Sequence, residues 1–135
     1  MARIYAIANQ KGGVGKTTTV VNLCAYLAGS GRRVLLVDLD PQANATSSLG
    51  YEKNQFESST YQLLVDQVAV SPIRVHHDQF GIDLLPSNPA LAGAEVELVH
   101  AIGREYRLQR ALAEVDDDFD YILIDSPPSL GLLTI

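Results

Sequence analysis

The residues best suited to chemistry form a glycine- and lysine-rich segment near the start of the chain, NQKGGVGKTT (residues 9–18). The segment follows a short apolar run, Arg3 to Ala8, and precedes a run typical of a helix, Thr17 to Ala28. Its glycines allow the backbone to turn so that its N–H groups line a concave cradle for phosphate oxygens. The following helix directs the positive end of its dipole at the same point. The pattern therefore predicts a phosphate-binding loop.

The lysines of this loop depart from the common pattern G-x-x-x-x-G-K-[ST]. That pattern requires glycine at position 10, where this sequence has Gln10, and a second lysine, Lys11, follows directly. Lys16 is placed to reach the β- and γ-phosphates, and the Thr17 hydroxyl is placed to bind Mg²⁺. This variant is the deviant form of the P-loop. The predicted phosphate-binding residues are Lys11, Gly12, Gly13, Val14, Gly15, Lys16, Thr17 and Thr18.

Aspartates follow two further predicted strands. Asp38 ends the run Arg33 to Asp38, and Asp40 follows two residues later. Asp125 ends the run Tyr121 to Asp125. In open α/β sheets, ligands bind beyond the carboxyl ends of the strands, which is the edge that carries the P-loop. The acids can therefore hold Mg²⁺ or orient a water molecule, and Asp125 fits the Walker-B position. A turn closed by an Asx cap is the alternative interpretation of the aspartates before Pro41.

Three motifs in this order resemble the ParA/Soj-type partition ATPases, in the wider class of MinD and the nitrogenase iron protein. They are the loop at residues 9–18, VDLDPQ at 37–42 and IDSPP at 124–128. The resemblance covers nearly the whole chain and is to the N-terminal half of the family. It implies that Asp40 positions the attacking water and that Asp38 supports the metal shell, with Thr17 and Asp125 holding Mg²⁺. The family usually has glycine where this chain has Ala43.

The same resemblance implies ATP as the nucleotide and slow hydrolysis that drives dimerisation during DNA segregation. It implies that Lys11 reaches across a homodimeric nucleotide sandwich to the partner's phosphates, so that Lys11, Lys16 and Asp40 form the catalytic set. A ParB/Spo0J-type centromere-binding protein is the implied partner. The family's DNA-binding residues lie in its C-terminal half, so we expect no nonspecific DNA binding from this segment. We predict that the segment self-associates, either as the nucleotide sandwich or in another way.

The predicted elements alternate between strands and helices. This alternation and the resemblance predict a three-layer α/β P-loop NTPase fold with a mostly parallel central sheet, as a single, partial domain over residues 1–135. The first two strands should run parallel. The expected strands are 3–8, 33–38, 73–75, 81–85 and 121–125, and the expected helices are 17–28, 60–68 with Thr60 as N-cap, 89 or 90–100, and 104–115. We expect His76-His77-Asp78 to form a solvated loop and Cys24 to be a core residue.

The composition of the chain argues against several classes of protein, namely DNA-binding, disulfide-rich, secreted and membrane-spanning proteins. The formal net charge is −6, which argues against DNA binding through the overall field of this segment. A single cysteine predicts no disulfide framework and a reducing compartment. The first residues lead directly into a strand rather than a signal peptide, and no run reaches the about 18 apolar residues of a membrane span. We therefore expect a cytoplasmic protein without a membrane role, nucleoid-associated in the family.

Three alternatives stay open at this point. The chain could be a MinD-like division-site regulator, although MinD's membrane role needs a C-terminal amphipathic helix that these residues lack. It could be a small-molecule P-loop ligase or kinase, which would need a substrate pocket. It could also be a truncated, non-catalytic regulator, which measured turnover would separate from an enzyme.

Overall fold

The structure is a computed structural model that describes residues 2–8, 14–52, 55–93 and 104–126. Its centre is a five-stranded sheet in the order β1-β5-β2-β4-β3. All neighbouring strands are parallel except β3, which pairs antiparallel with β4 at one edge. The strands are β1 (Arg3–Ala8), β2 (Val34–Asp38), β3 (Val75–His77), β4 (Ile82–Leu85) and β5 (Tyr121–Ser126).

Helices cover both faces of this sheet. They are α1 (Val14–Gly29), α2 (Asn44–Ser48), α3 (Thr60–Leu64) and α4 (Arg104–Ala113), with short 3-10 helices at Pro89–Gly93 and Asp116–Asp118. Of the helix predicted from residue 89 or 90 to residue 100, the structure describes the 3-10 part, and residues 94–103 lie outside the described ranges. Among the helices described, none combines the length and apolarity needed to cross a bilayer.

Alternating side chains of the strands divide the core into two clusters, as a sheet with two covered faces requires. Leu35 packs in a cluster with α3 and α4, whereas Leu36 packs in a cluster with α1 and α2. Leu123 of β5 lies in the second cluster between two residues of the first, Ile122 and Ile124. The predicted three-layer α/β fold with a mostly parallel sheet is confirmed.

The first two strands run parallel, as predicted, but they are not neighbours. Strand β5 lies between them, with Arg3 of β1 and Val34 of β2 both paired to Tyr121. The last described strand therefore occupies the middle of the β1-β5-β2 group. This order brings the carboxyl ends of the three strands that carry the predicted motifs side by side.

Helix α3 differs from its prediction at both ends. Its N-cap is Ser59, not Thr60, and Ser59 and Gln62 form a reciprocal capping box. The helix ends at Leu64 rather than at Val68, and Arg107 of α4 donates from Nη1 to the Leu64 carbonyl (2.8 Å) and to the Val65 carbonyl (3.2 Å). These bonds satisfy carbonyls that a longer helix would have paired internally.

The histidine pair also differs from its prediction. His76 and His77 lie in β3, not in a solvated loop, and only Asp78 starts the turn that follows. His77 is buried, and its Nε2 lies 2.9 Å from the Leu49 carbonyl. The exposed His76 pairs across the ladder with Asp83, and their side chains also meet, so cross-strand contacts outweigh the polar character of the segment.

Candidate functional site

The predicted phosphate-binding loop connects β1 to α1. Strand β1 ends at Ala8 and α1 begins at Val14, so the strand–loop–helix order predicted from the sequence is present. Lys11, Gly12 and Gly13 lie outside the described residues. Gly15, Lys16 and Thr17 belong to the start of α1, followed by the exposed Thr18. The phosphate-binding roles of these residues stay predictions.

The two strand-end acids predicted to share a site are neighbours in the sheet. Asp38 of β2 pairs with Asp125 of β5, and the N–H of Leu39 donates to the Asp125 carbonyl (2.8 Å). On its other side, Asp125 pairs with Ile7 of β1, one residue before that strand ends. Both aspartates are fully buried. The fold therefore places two carboxyl groups on adjacent strands, with Asp125 directly beside the strand that leads into the predicted P-loop.

The Asp38 carboxylate closes the loop between β2 and α2. We call this loop, residues 39–43, the acidic loop. One Asp38 oxygen accepts the N–H of Asp40 (3.0 Å). The other oxygen accepts both the N–H (2.9 Å) and the hydroxyl (2.7 Å) of Thr46. Both oxygens therefore hold the acidic loop and the helix after it against the end of β2.

Burial dominates the electrostatics of this carboxyl group. Loss of hydration raises the pKa of Asp38 to about 7, and the charge of Asp125 adds to the rise. The hydrogen bonds from Thr46 and from the Asp40 amide act in the opposite direction, because they stabilise the ionised form. Near neutral pH the Asp38 group thus lies close to its own titration midpoint when no cation is bound.

Asp40 lies within the acidic loop and is 4% exposed. Its carboxylate accepts the N–H of Gln42 (2.9 Å) and, over a longer distance, that of Asn44 (3.4 Å). These bonds match the Asx-type turn that was the alternative interpretation of the aspartates. Ala43, where the resembling family usually has glycine, has a left-handed backbone (φ 55°, ψ 40°). The water-positioning role of Asp40 stays a prediction.

Sequence reasoning missed three buried hydroxyl residues around this loop, Thr46, Thr60 and Ser87. The Ser87 N–H donates to the Thr46 hydroxyl oxygen (3.1 Å), and the Ser87 hydroxyl donates to the Asp40 carbonyl (2.5 Å). The Thr60 hydroxyl donates to the Asp38 carbonyl (2.9 Å). The sequence contains no local signal for these bonds, because they depend on the pairing of β2 with β4 in the sheet.

Cys24 plays no part in this arrangement. It is fully buried in the cluster with α1 and α2, as predicted for a core residue. Burial raises the pKa of its thiol to about 12, so the thiolate is scarce at neutral pH. Throughout the described ranges, the strand-end acids included, no group of three or more histidine, cysteine and acidic side chains is arranged to hold a metal ion.

Comparison with known proteins decides the family. The sequence matches the AAA domain family over residues 2–135. The chain belongs to this family. The AAA domain is 58% identical over all of its 135 residues to the sporulation initiation inhibitor protein Soj of Bacillus subtilis. It is 47% identical, also over 135 residues, to the chromosome partitioning protein ParA of Myxococcus xanthus. The resemblance to ParA/Soj-type proteins predicted from the motifs is confirmed.

A solved structure gives the same picture of the fold. Cobyrinic acid a,c-diamide synthase from Mycobacterium smegmatis, with a bound ATP analogue and magnesium, superposes on 98% of the AAA domain with a TM-score of 0.92 and 53% identity. The AAA domain covers 54% of that chain, 53% of Soj and 48% of the Myxococcus ParA. It thus spans about half the length of these relatives.

Proposed function

We propose that this AAA domain binds Mg²⁺-ATP and hydrolyses it slowly, as a switch that drives dimerisation for DNA segregation. The observation that carries the proposal is the pairing of Asp38 with Asp125 at the carboxyl ends of adjacent strands, beside the strand that leads into the P-loop sequence. Its likeness to Soj and to ParA supports ATP-driven partition over other uses of a P-loop.

The acids of the site fit Mg²⁺. Two carboxyl groups, Asp38 and Asp125, are buried on adjacent strands, where their charges repel and where burial alone disfavours ionisation. A divalent cation reverses both effects, and oxygen ligands are the ones that Mg²⁺ prefers. Thr17 and Asp125 would hold the ion, and Asp38 would support its shell through the acidic loop. Bound Mg²⁺ would neutralise charge on the phosphates of ATP.

The remaining roles follow the P-loop sequence. The residues that hold the phosphates are Gly12, Gly13, Val14, Gly15, Lys16, Thr17 and Thr18. Lys16 stabilises the charge that develops on the phosphates, and Asp40 orients the attacking water. Lys11 acts in trans, because it has no assigned role in its own subunit, and contacts the phosphates of the partner in a nucleotide sandwich.

We further propose the biological setting that the ParA and Soj names suggest. The dimer acts in the cytoplasm on plasmid or chromosomal DNA, and a ParB/Spo0J-type centromere-binding protein stimulates its hydrolysis. The net charge of −6 supports the expectation that this segment does not bind DNA nonspecifically through its overall field.

A second candidate is a small-molecule ligase that activates its substrate with ATP. The observation in its favour is the name of the Mycobacterium smegmatis protein, a diamide synthase, at 53% identity. ATP turnover that rises with cobyrinic acid, and does not rise with a ParB-type protein and DNA, would favour this candidate over partition.

The experiment that tests the switch compares two variants with the wild-type chain. Asp40→Ala should keep Mg²⁺-ATP binding and lose turnover, because the residue acts on water and not on the phosphates. Lys11→Ala should lose ATP-dependent dimerisation, measured by sedimentation, and turnover with it. If Asp40→Ala turns over ATP at the wild-type rate, Asp40 does not orient the water. If Lys11→Ala still dimerises and hydrolyses ATP, the trans role is wrong. A folded wild-type chain that binds ATP without any turnover would favour the non-catalytic regulator.

A further inference from the structure

Ser87, which follows β4, connects the acidic loop and α2 to that strand through hydrogen bonds from both its N–H and its hydroxyl group. It lies two residues after β4, which pairs with β2 in the sheet. Its N–H donates to the hydroxyl oxygen of Thr46 (3.1 Å), and its hydroxyl donates to the carbonyl of Asp40 (2.5 Å). Ser87 is fully buried, so water cannot replace these bonds easily.

Thr46 is the link between Ser87 and the strand-end acid. A hydroxyl group has one proton to donate and can accept at its lone pairs. Thr46 accepts from the Ser87 N–H and, when Asp38 is ionised, donates its proton to the carboxylate (2.7 Å). The result is a continuous chain of donors that runs from the segment after β4 to the Asp38 carboxylate.

The residues at the two ends of this series of hydrogen bonds, Asp38 and Ser87, both bond to the main chain of Asp40. The Asp40 N–H donates to the Asp38 carboxylate (3.0 Å), and the Asp40 carbonyl accepts from Ser87. Thr46 and Ser87 thus help to hold the main chain on both sides of Asp40, while the N–H groups of Gln42 and Asn44 hold its carboxylate. Small misplacements of a group that orients a reactant reduce rates strongly.

We propose that Thr46 and Ser87 are positioning residues that fix the acidic loop, and Asp40 within it, for ATP hydrolysis. The inference rests on the proposed function for its catalytic consequence, but the loop contacts themselves can be tested without turnover. It assigns a role to two residues that touch neither phosphate nor metal in the proposed site.

Thr60 provides a matched control. Like Thr46, it is a fully buried threonine whose hydroxyl donates to Asp38. Its acceptor, however, is the main-chain carbonyl of Asp38, a residue that the pairing of β2 with β5 already holds. Thr60→Val and Thr46→Val therefore remove the same group from equally buried sites, but only Thr46→Val releases the acidic loop.

The first measurement is amide hydrogen exchange by NMR in the metal-free chain. Thr46→Val should speed exchange of the Asp40 N–H by about tenfold relative to a β2 amide such as that of Leu36, since a buried hydrogen bond of the loop is lost. Thr46→Ser, which keeps the hydroxyl, should restore slow exchange. Thr60→Val should leave the exchange of Asp40 unchanged. Equal exchange of Asp40 in Thr46→Val and Thr60→Val would overturn the proposal.

The second measurement separates binding from turnover in the same folded variants. Thr46→Val should lower kcat by about tenfold while the Kd for Mg²⁺-ATP stays within about threefold, because the phosphates are held elsewhere. Thr46→Ser should recover most of kcat. Ser87→Ala, which loses only the bond to the Asp40 carbonyl, should also lower kcat, and it provides the test if Thr46→Val does not fold. Loss of kcat in Thr60→Val equal to that in Thr46→Val would refute positioning. If the wild-type chain has no turnover, the proposed function fails, and the exchange measurement alone decides whether Thr46 and Ser87 hold the loop.

Discussion

The charge of Asp38 should weaken the metal-free fold as the pH rises, and Asp38→Asn isolates this effect. The asparagine side chain has nearly the same shape but does not titrate. It has one oxygen in place of two, so it cannot accept from both Asp40 and Thr46, and this lost bond costs about 1–3 kcal/mol at any pH. The pH dependence of the difference between variant and wild type therefore reports the ionisation of Asp38 together with its coupling to Asp125.

The sign and size follow from the two pKa values. Burial, reinforced by Asp125, raises the pKa of Asp38 from its ordinary 3.8 to about 7 in the folded chain. Between these values the folded state binds more protons than the unfolded state, so stability falls as the pH rises, and it levels off above pH 7. The full effect is about 4 kcal/mol, of which about 2–3 kcal/mol falls between pH 5 and pH 8.

The assay is urea unfolding in EDTA at pH 5 and pH 8, for the wild type and for Asp38→Asn. The free energy of unfolding of the variant, relative to the wild type, should rise by about 2–3 kcal/mol between these pH values. Titrating groups that do not interact with Asp38 are common to both proteins and cancel, whereas Asp125 is coupled to Asp38 and contributes to the difference. A difference that stays constant with pH would show that Asp38 ionises normally in the folded chain and would refute the electrostatic account of the site.

Three further predictions concern the rest of the fold. Leu123 is buried in a central strand, so Leu123→Ala should lower the free energy of unfolding by about 2–5 kcal/mol. Leu23 is 42% exposed, so Leu23→Ala should change the free energy of unfolding by under about 1 kcal/mol. Equal losses for the two variants in urea unfolding would contradict the packing described. Cys24 should react with a thiol reagent at pH 8 only on unfolding, and rapid native labelling would show that it is accessible. Among the described strands β1 pairs only with β5, and its residues Ile4 and Tyr5 are 46% and 49% exposed. The chain should therefore self-associate, and Tyr5→Lys should weaken the self-association. A wild-type chain that stays monomeric in sedimentation at high concentration would contradict this prediction.

The strands and their strand-end acids were predictable because their signals are local. The apolar runs before Asp38 and Asp125 are long enough to indicate buried parallel strands, and ligands of such sheets gather at the carboxyl edge. The prediction that these two acids share a site needed no knowledge of strand order. The sequence did not predict that β5 lies between β1 and β2, because strand order depends on contacts between distant segments.

Features that depend on a partner from another element could not be predicted in the same way. The buried His77 has a polar sequence neighbourhood, but its ring meets the Leu49 carbonyl, 28 residues away. The bonds of Ser87 to Asp40 and Thr46 were not predicted, because nothing local in the sequence indicates them. The end of helix α3 at Leu64 likewise involves a distant residue, since Arg107 donates to the carbonyls of Leu64 and Val65.

The measurement that tests the central proposal most directly is Mg²⁺-ATP binding to this chain by isothermal titration calorimetry, with Lys16→Ala as the control. Lys16 is proposed to contact the phosphates, so the wild type should bind one nucleotide per chain and the variant should give no binding heat, while both unfold at similar urea concentrations. Equal binding by both proteins would show that the nucleotide does not use the P-loop. An absence of binding in a folded wild-type chain would contradict the proposal that these residues form a working nucleotide site.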